Sequence, residues 1–207
     1  MIAAILLAAG SSRRFGDANK LLAEIGGEAI IVRTARALAL AHIDEIVVVT
    51  GPDAPAVTGL IQAAARGGLR PHRLSLRFVA NARHAEGIGT SVATGIRALA
   101  DNAAGALVVQ GDMPALPPAL IDALVARFEA MDCRPVVFPT TSEGAQMNPV
   151  LWPRRCFSDL AALEGDRGAK ALIGAEGDRA ERVIWPDARA FTDIDTQDAL
   201  AQFEPLR

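Results

Sequence analysis

Residues 2–16 read IAAILLAAGSSRRFG, and this stretch decides how the chain must fold. The apolar run Ile2–Ala8 is followed at once by a loop that carries glycine, serine and arginine. Because the run is apolar on both faces, it predicts a strand buried in the middle of a sheet. Successive backbone N–H groups in a loop of small residues after such a strand can form a concave site for anions. The stretch therefore predicts an anion-binding loop at the end of a central strand.

The rest of the chain alternates short apolar runs with longer amphipathic stretches, which is typical of βαβ units around a mostly parallel sheet. We therefore expect an α/β fold. The predicted strands are Ile2–Ala8, Glu45–Thr50, Leu76–Ala80, Ala106–Gln110, Pro135–Phe138, Pro149–Trp152 and Arg182–Trp185. The first and fourth are the most uniformly apolar and should lie centrally. The predicted helices are Ala29–Ala41, Pro55–Arg66, Gly89–Ala100, Pro117–Met131, Arg154–Ala162, Gly168–Ala175 and Thr196–Phe203.

Length and composition narrow the class of protein. A chain of 207 residues fits one domain, which we expect to span residues 1–207. The net charge of -3 supplies no global positive field for nucleic acid or anionic lipid, and 4% aromatic residues leave few platforms for base stacking. The two cysteines, Cys133 and Cys156, lie in no metal-ligand spacing, which fits a reducing cytoplasm. We therefore expect a cytoplasmic protein with neither nucleic acid nor membrane as a partner.

Basic side chains gather around the first loop of this otherwise acidic protein. Arg13, Arg14 and Lys20 could bind a polyphosphate there, although a solvated basic turn is the simpler interpretation. The loop is not a Walker A motif, because Phe15 stands where the second glycine of G-x-x-x-x-G-K-[ST] would fall. Any phosphate chemistry would therefore use this local cluster.

Carboxylates follow two of the predicted elements. Asp112 comes directly after the fourth strand, and ligands of open α/β sheets bind beyond the carboxyl ends of strands, so this acid is well placed for a divalent cation. A cap of the turn before the next helix is an equally good interpretation. Asp193 and Asp195 are two residues apart, which points both side chains to one face of an extended chain. Asp195 or Thr196 could equally be the N-cap of the last helix.

A third segment combines glycines with hydroxyl groups. It comprises Asn81 and residues 86–92, which read EGIGTSV. Neither G-x-G-x-x-G nor G-x-S-x-G is satisfied, because valine and alanine stand where these motifs end in glycine. The three histidines of the chain lie in no triad spacing, which disfavours a serine hydrolase. The remaining interpretation is a flexible, glycine-containing loop that leads into a helix at Ser91. Such a loop could form hydrogen bonds with a base or a phosphate.

Together these segments resemble the nucleotidyltransferases with a glycosyltransferase-A-like fold, and among them the molybdenum cofactor cytidylyltransferases and their close relatives. The resemblance rests on Leu7–Gly16 with Lys20, Asn81–Gly95, Gly111–Pro114, Asn148–Trp152, Gly165–Lys170 and Asp193–Thr196, and it covers nearly the whole chain. It implies a three-layer α/β/α, Rossmann-like fold of the nucleotide-diphospho-sugar transferase type. It also implies an enzyme that transfers CMP from CTP to the phosphate of molybdenum-bearing molybdopterin and releases pyrophosphate.

The resemblance further implies roles for individual residues. The nucleotide would be bound by Leu7, Ala8, Ala9, Gly10, Ser11, Ser12, Arg14, Lys20, Asn81, Gly87, Ser91 and Asp112, among which Arg14, Lys20 and Asp112 would be catalytic. The cofactor would be Mg²⁺ on Asp112 and Asp195, and the acceptor would face Asn148, Pro149, Asp166 and Gly168. A recipient molybdenum hydroxylase would be a further partner.

Two questions stay open at the level of sequence. Relatives usually carry Gly-His-Pro where this chain has Met147-Asn148-Pro149, so the identity of the acceptor is open. A guanylyltransferase that uses GTP, or a sugar- or polyol-phosphate nucleotidyltransferase, would share the fold; Ala9, where guanylyltransferases tend to carry glycine, favours CTP. A carrier of the molybdenum cofactor without turnover is a second alternative, disfavoured because a carrier does not need two metal-binding carboxylates.

Overall fold

The computed structural model describes residues 1–10, 15, 19–69, 74–166 and 169–203. Within these residues the strands are β1 (Ile2–Ala8), β2 (Glu24–Ile25), β3 (Glu28–Ala29), β4 (Glu45–Thr50), β5 (Ser75–Ala80), β6 (Gly105–Gln110), β7 (Val137–Thr140), β8 (Val150–Pro153) and β9 (Glu181–Ile184). The α-helices are α1 (Ile30–Leu40), α2 (Ala54–Ala64), α3 (Ile88–Arg97), α4 (Pro118–Ala130), α5 (Phe157–Ala161), α6 (Lys170–Glu176) and α7 (Gln197–Gln202).

Seven strands form the central sheet, in the order β5-β4-β1-β6-β8-β7-β9. β1 pairs in parallel with β4 and β6, and β4 pairs in parallel with β5. The direction reverses at β8, which is antiparallel to both of its neighbours. The expectation that the first and fourth predicted strands lie centrally is confirmed, since β6 is the middle strand and β1 lies beside it.

Alternate residues of β1 enter two separate apolar clusters, one on each face of the sheet. Leu6 packs in the cluster formed with α1, α2 and α4, whereas Ile5 packs in the cluster formed with α3, α5 and α6. α3 lies so close to the sheet that a Cβ on its Gly95 would come within 2.3 Å of Ile5 Cγ2. This arrangement confirms the predicted three-layer α/β/α fold with a mostly parallel sheet.

The structure departs from the predicted elements in one hairpin and at several element boundaries. The β2–β3 hairpin turns through Gly26 and Gly27, both at positive φ, and was not predicted because its two-residue strands show no apolar alternation. β7 begins two residues later than predicted. The predicted helix from Arg154 opens as a short 3-10 turn, so that the α-helix covers only Phe157–Ala161.

Among the described residues, no helix combines the length and the apolar character needed to cross a bilayer.

The loops after the two central strands lie side by side at the carboxyl edge of the sheet. Gly111 N, just after β6, donates to Leu7 O of β1 over 2.9 Å. A Cβ at Gly111 would come within 2.8 Å of that same carbonyl oxygen, so this close approach requires glycine. The fold thereby brings Asp112 next to the carboxyl end of β1.

Candidate active site

A cavity of about 470 Å³ opens where β1 and β6 end. Its wall contains seven of the residues predicted to bind the nucleotide: Leu7, Ala9, Gly10, Lys20, Gly87, Ser91 and Asp112. The wall also contains His84, which spacing along the sequence did not single out and which only the fold brings here. Ser11, Ser12, Arg14 and Gly168 lie outside the described residues.

Lys20 forms the cationic centre of this cavity. Its Nζ donates to Asp112 Oδ2 over 2.5 Å and to Asp195 Oδ1 over 2.7 Å. The lysine begins a short 3-10 turn that Asn19 caps by accepting a hydrogen bond from Leu21 N. Partial burial lowers the pKa of Lys20, but the two carboxylates outweigh this effect and leave the pKa above its usual value. Lys20 is therefore an ammonium ion at neutral pH.

Three carboxylates converge around this ammonium. Single oxygens of Asp112, Asp193 and Asp195 all lie within 4.8 Å of one another. Asp112 Oδ1 is buried and has no hydrogen-bond partner among the described residues, so it is available to a cation. Clustered carboxylate oxygens are the ligands that Mg²⁺ and similar hard cations prefer. These residues thus fit a divalent cation. Asp193 is a third candidate ligand beside the predicted Asp112 and Asp195, and its spacing of two residues from Asp195 was the available signal.

The backbone around Asp112 is held from three sides. Besides the contact of Gly111 N with β1, Thr34 Oγ1 of α1 donates to Gly111 O over 3.0 Å. Ile194 N donates to Asp112 O over 3.2 Å, which ties the β6 loop to the segment that carries Asp193 and Asp195. Thr34 was not predicted as a site residue; the available signal was a hydroxyl on an otherwise apolar helix face.

Asn81 lies behind the cavity wall rather than in it. It is only 4% exposed, and its Nδ2 donates to Thr90 Oγ1 and to Ser91 Oγ, each over 2.9 Å. Its Oδ1 accepts from Arg83 N. The predicted direct contact between Asn81 and a nucleotide therefore needs correction, because the structure makes Asn81 a support for Ser91. The side chain of Ala8 likewise packs in the apolar cluster beneath α1 instead of facing the cavity.

A second cavity of about 260 Å³ adjoins the first. The two cavities share Leu7, Ile88 and Gln110 as a common wall. Asn148 lies in the second cavity, as expected of an acceptor residue, and its Nδ2 donates to Gln110 Oε1 over 3.4 Å.

Two other predicted acceptor residues are placed differently. Asp166 lies in the wall of the first cavity, together with the predicted nucleotide residues. Pro149 follows a cis peptide bond and belongs to neither wall. Asn148 is therefore the described member of this predicted set that faces the second cavity.

The segment before Asp166 packs against two glycines at the start of α3. Gly89 N donates to Gly165 O over 2.9 Å. Gly87 has φ +121, and a Cβ there would come within 2.3 Å of Gly165 C, so the position requires glycine both for its conformation and for space. Arg83 bridges Glu86 and Glu164 at 2.6 Å and 3.2 Å on the outer side. These contacts fix the two loops relative to each other.

An open, mostly parallel α/β sheet that carries a nucleotide-sized cavity and a lysine–carboxylate cluster at its carboxyl edge defines the class of nucleotide-binding transferases. The model of the MobA-like NTP transferase domain matches residues 4–181, and the chain belongs to this family. It is therefore a nucleotidyltransferase with the nucleotide-diphospho-sugar transferase fold, as the sequence predicted.

Known relatives extend over nearly the whole chain. The purine catabolism protein PucB of Bacillus subtilis (strain 168) is 31% identical over 195 residues, which are 93% of this chain and 90% of that protein. The molybdenum cofactor guanylyltransferase of Cereibacter sphaeroides is 27% identical, with 98% of this chain and 95% of that protein covered.

Solved structures share the fold. Rv0371c from Mycobacterium tuberculosis H37Rv superposes with a TM-score of 0.78 at 20% identity, covering 97% of this chain and 95% of that one. A structure of the same protein in complex with manganese superposes with a TM-score of 0.74 at 19% identity, covering 97% and 96%.

Proposed function

We propose that this protein transfers CMP from CTP to the terminal phosphate of molybdopterin that carries molybdenum, with release of pyrophosphate. The observation that carries the proposal is the wall that the two cavities share at Leu7, Ile88 and Gln110. A transfer between two substrates requires both to be bound together with their reacting atoms in contact. Gln110 of this shared wall lies two residues before Asp112, so the two substrates would meet beside the lysine–carboxylate cluster.

The first cavity fits the nucleotide. Lys20 supplies an ammonium in its wall, and Ser11, Ser12 and Arg14, which precede Lys20 in the sequence, are further candidates for the phosphates. Gly87 and Ser91 lie in the wall contributed by the α3 side and would contact the base. This assignment divides the cavity into a phosphate half near the carboxylates and a base half near α3.

Two features support cytosine as the base. Ser91 Oγ accepts a hydrogen bond from Asn81, and among the described residues no group accepts the hydroxyl proton of Ser91, which leaves it for a ligand. Cytosine presents acceptors at O2 and N3, whereas guanine presents O6 as its one acceptor beside two donors on the pairing edge. Ala9, in the wall of the first cavity, stands where guanylyltransferases tend to carry glycine, which also favours cytosine.

GTP is the alternative donor, and the similarity to a molybdenum cofactor guanylyltransferase favours it. O6 of guanine could also accept the Ser91 proton. A panel of nucleoside triphosphates, incubated with the molybdenum-bearing pterin and assayed for pyrophosphate, separates the two. We expect CTP to give the highest kcat/KM, and a clear preference for GTP would overturn the cytidylyl assignment.

The second cavity fits the acceptor. Its walls are largely apolar and carry the amides of Gln146 and Asn148 and the ammonium of Lys170. This combination suits a planar ring with a polar edge that is joined to a phosphate. Asn148, which replaces the histidine usual in relatives, would offer an amide to such a ring. Tight binding of the pterin without pyrophosphate release would instead support a carrier.

The chemistry requires no protein base. The second pKa of a phosphate monoester is about 6, so the acceptor is largely a dianion at neutral pH. One of its oxygens would attack the α-phosphorus of CTP, and the bond to the β-phosphate oxygen would break to release pyrophosphate. Lys20, held as an ammonium, would neutralise charge that develops on the phosphoryl oxygens. Asp112, Asp193 and Asp195 would hold Mg²⁺, which supplies further neutralisation when bound.

A further inference from the structure

Trp152 lies in the wall of the second cavity with its polar atom unused. The residue belongs to β8, pairs with Ala106 of β6 and is 1% exposed. Its indole Nε1 is buried and has no hydrogen-bond acceptor among the described residues. Nearly all buried N–H groups in folded proteins are paired, because an unpaired one has lost water without compensation. The donor therefore calls for a partner from outside the chain.

Trp152 lies between an apolar cluster and the second cavity. Away from the cavity the ring packs in an apolar cluster with Ile5, Ala106 and Leu160, whose side chains offer no acceptor. Within the cavity, the amides of Asn148 and Gln110 bond to each other. Because Trp152 lines the second cavity, this cavity is the space from which a bound molecule could offer an acceptor to the indole N–H.

We propose that Trp152 is a specificity-determining residue that donates its Nε1–H to a carbonyl oxygen or ring nitrogen of a planar, nitrogen-rich ring in the second cavity. The inference rests on the proposed function, because it takes this cavity as the acceptor subsite. It adds the group that recognises the ring and the chemistry of the edge that the ring must present. Val92 and Val150 in the same wall would cover the faces of such a ring.

The chain offers a matched control because it holds two tryptophans, Trp152 and Trp185, and Trp185 lines neither cavity. In the full-length Trp185→Phe variant, Trp152 is the one remaining indole reporter. We expect unsubstituted pterin, used as the probe, to quench its fluorescence, and CTP with Mg²⁺ to leave it nearly unchanged. Absence of quenching by pterin would overturn the inference without any change at Trp152 itself.

Trp152→Phe keeps an aromatic ring and deletes the donor. Loss of one hydrogen bond predicts a pterin affinity about fivefold weaker by calorimetry, while the KM for CTP stays within about twofold. The same replacement at Trp185 should leave both constants unchanged. Equal pterin affinities in the two variants would overturn the inference.

Failure of the proposed function gives a different result. Wild-type protein would then release no pyrophosphate from CTP with the molybdenum-bearing pterin, whereas quenching of Trp152 by pterin and its dependence on the indole N–H would persist. Turnover that proceeds with unchanged acceptor KM in Trp152→Phe would instead remove Trp152 from recognition and leave the proposed function standing.

Discussion

Lys20 Nζ donates to Asp112 Oδ2 over 2.5 Å and so joins the loop after β1 to the loop after β6. The contact leaves Asp112 Oδ1 without a partner among the described residues. One oxygen of the carboxylate is thus neutralised by the protein and the other is available to a cation. This division lets a lysine and a divalent cation share one aspartate.

Lys20→Ala should lower turnover by about 10²–10³, the loss expected when one preorganised charge at a phosphoryl centre is removed. Pyrophosphate release under saturating CTP and acceptor measures the effect. Lys20→Arg is the control that keeps the charge, and it should retain more activity than the alanine variant. Turnover of Lys20→Ala within a few-fold of wild type would exclude Lys20 from the mechanism.

The raised pKa of Lys20 predicts how its contribution to stability depends on pH. A group whose pKa is higher in the folded state than in the unfolded state stabilises the folded protein. This contribution is complete below the unfolded-state pKa, here 10.5, and it is lost as the pH rises through the folded-state pKa. The difference in unfolding free energy between wild type and Lys20→Met should therefore be constant from about pH 7 to about pH 9. Urea unfolding at several pH values tests this, and a difference that vanishes below about pH 9 would contradict the raised pKa.

Asparagine in place of each clustered aspartate should weaken Mg²⁺ binding. The largest effect is expected for Asp112→Asn, because the buried Oδ1 would have to be replaced by an amide of lower charge. The Mg²⁺ concentration for half-maximal activity and the Mg²⁺-induced rise in Tm both report this. Asp166→Asn, in the same cavity wall but outside the cluster, is the control and should change neither.

Sequence patterns were sufficient to predict the seven strands of the central sheet and two of the three clustered carboxylates as metal ligands. Buried apolar runs locate β1 and β6, and parallel strands bring their carboxyl ends to one edge, so Asp112 could be placed near the loop before Lys20. The direction of a side chain after a strand could not be read in the same way. Asn81 follows β5, and its side chain bonds to Ser91 of α3. This orientation depends on where α3 packs, which the local sequence does not indicate.

Contacts between distant segments account for the other omissions. Thr34 meets Gly111 across 77 positions of sequence, and no local pattern signals such a contact. The second cavity is lined in part by β8, which runs antiparallel to β6. The apolar sequence of β8 is compatible with either a parallel or an antiparallel strand. Trp152 therefore could be predicted as a strand residue but not as part of a cavity wall.

Thr34→Val should impair catalysis more than substrate binding. The change removes the hydroxyl that donates to Gly111 O and leaves the carbonyl beside Asp112 without that bond. We expect kcat to fall about tenfold, the Mg²⁺ requirement to rise and the KM for CTP to stay nearly constant, with a cost in stability of about 1 kcal/mol. Thr34→Ser restores the donor and should recover most of the activity. A variant whose Tm falls while kcat and Mg²⁺ dependence stay unchanged would limit Thr34 to packing.

Ser91→Ala tests the recognition of the base. Under the proposed function, Ser91, whose Oγ accepts a hydrogen bond from Asn81, would donate its hydroxyl proton to the base. Removal of this hydroxyl should therefore raise the KM for CTP about tenfold while kcat at saturation changes little. Asn81→Leu should have a similar but smaller effect, because Ser91 would keep its hydroxyl and lose its orientation. Competition between CTP and GTP provides a second measurement. If the Ser91 hydroxyl selects cytosine, its removal lowers the ratio of kcat/KM for CTP to kcat/KM for GTP. An unchanged ratio in Ser91→Ala would show that selection of the base lies elsewhere in the wall, with Ala9 as the next residue to replace by glycine.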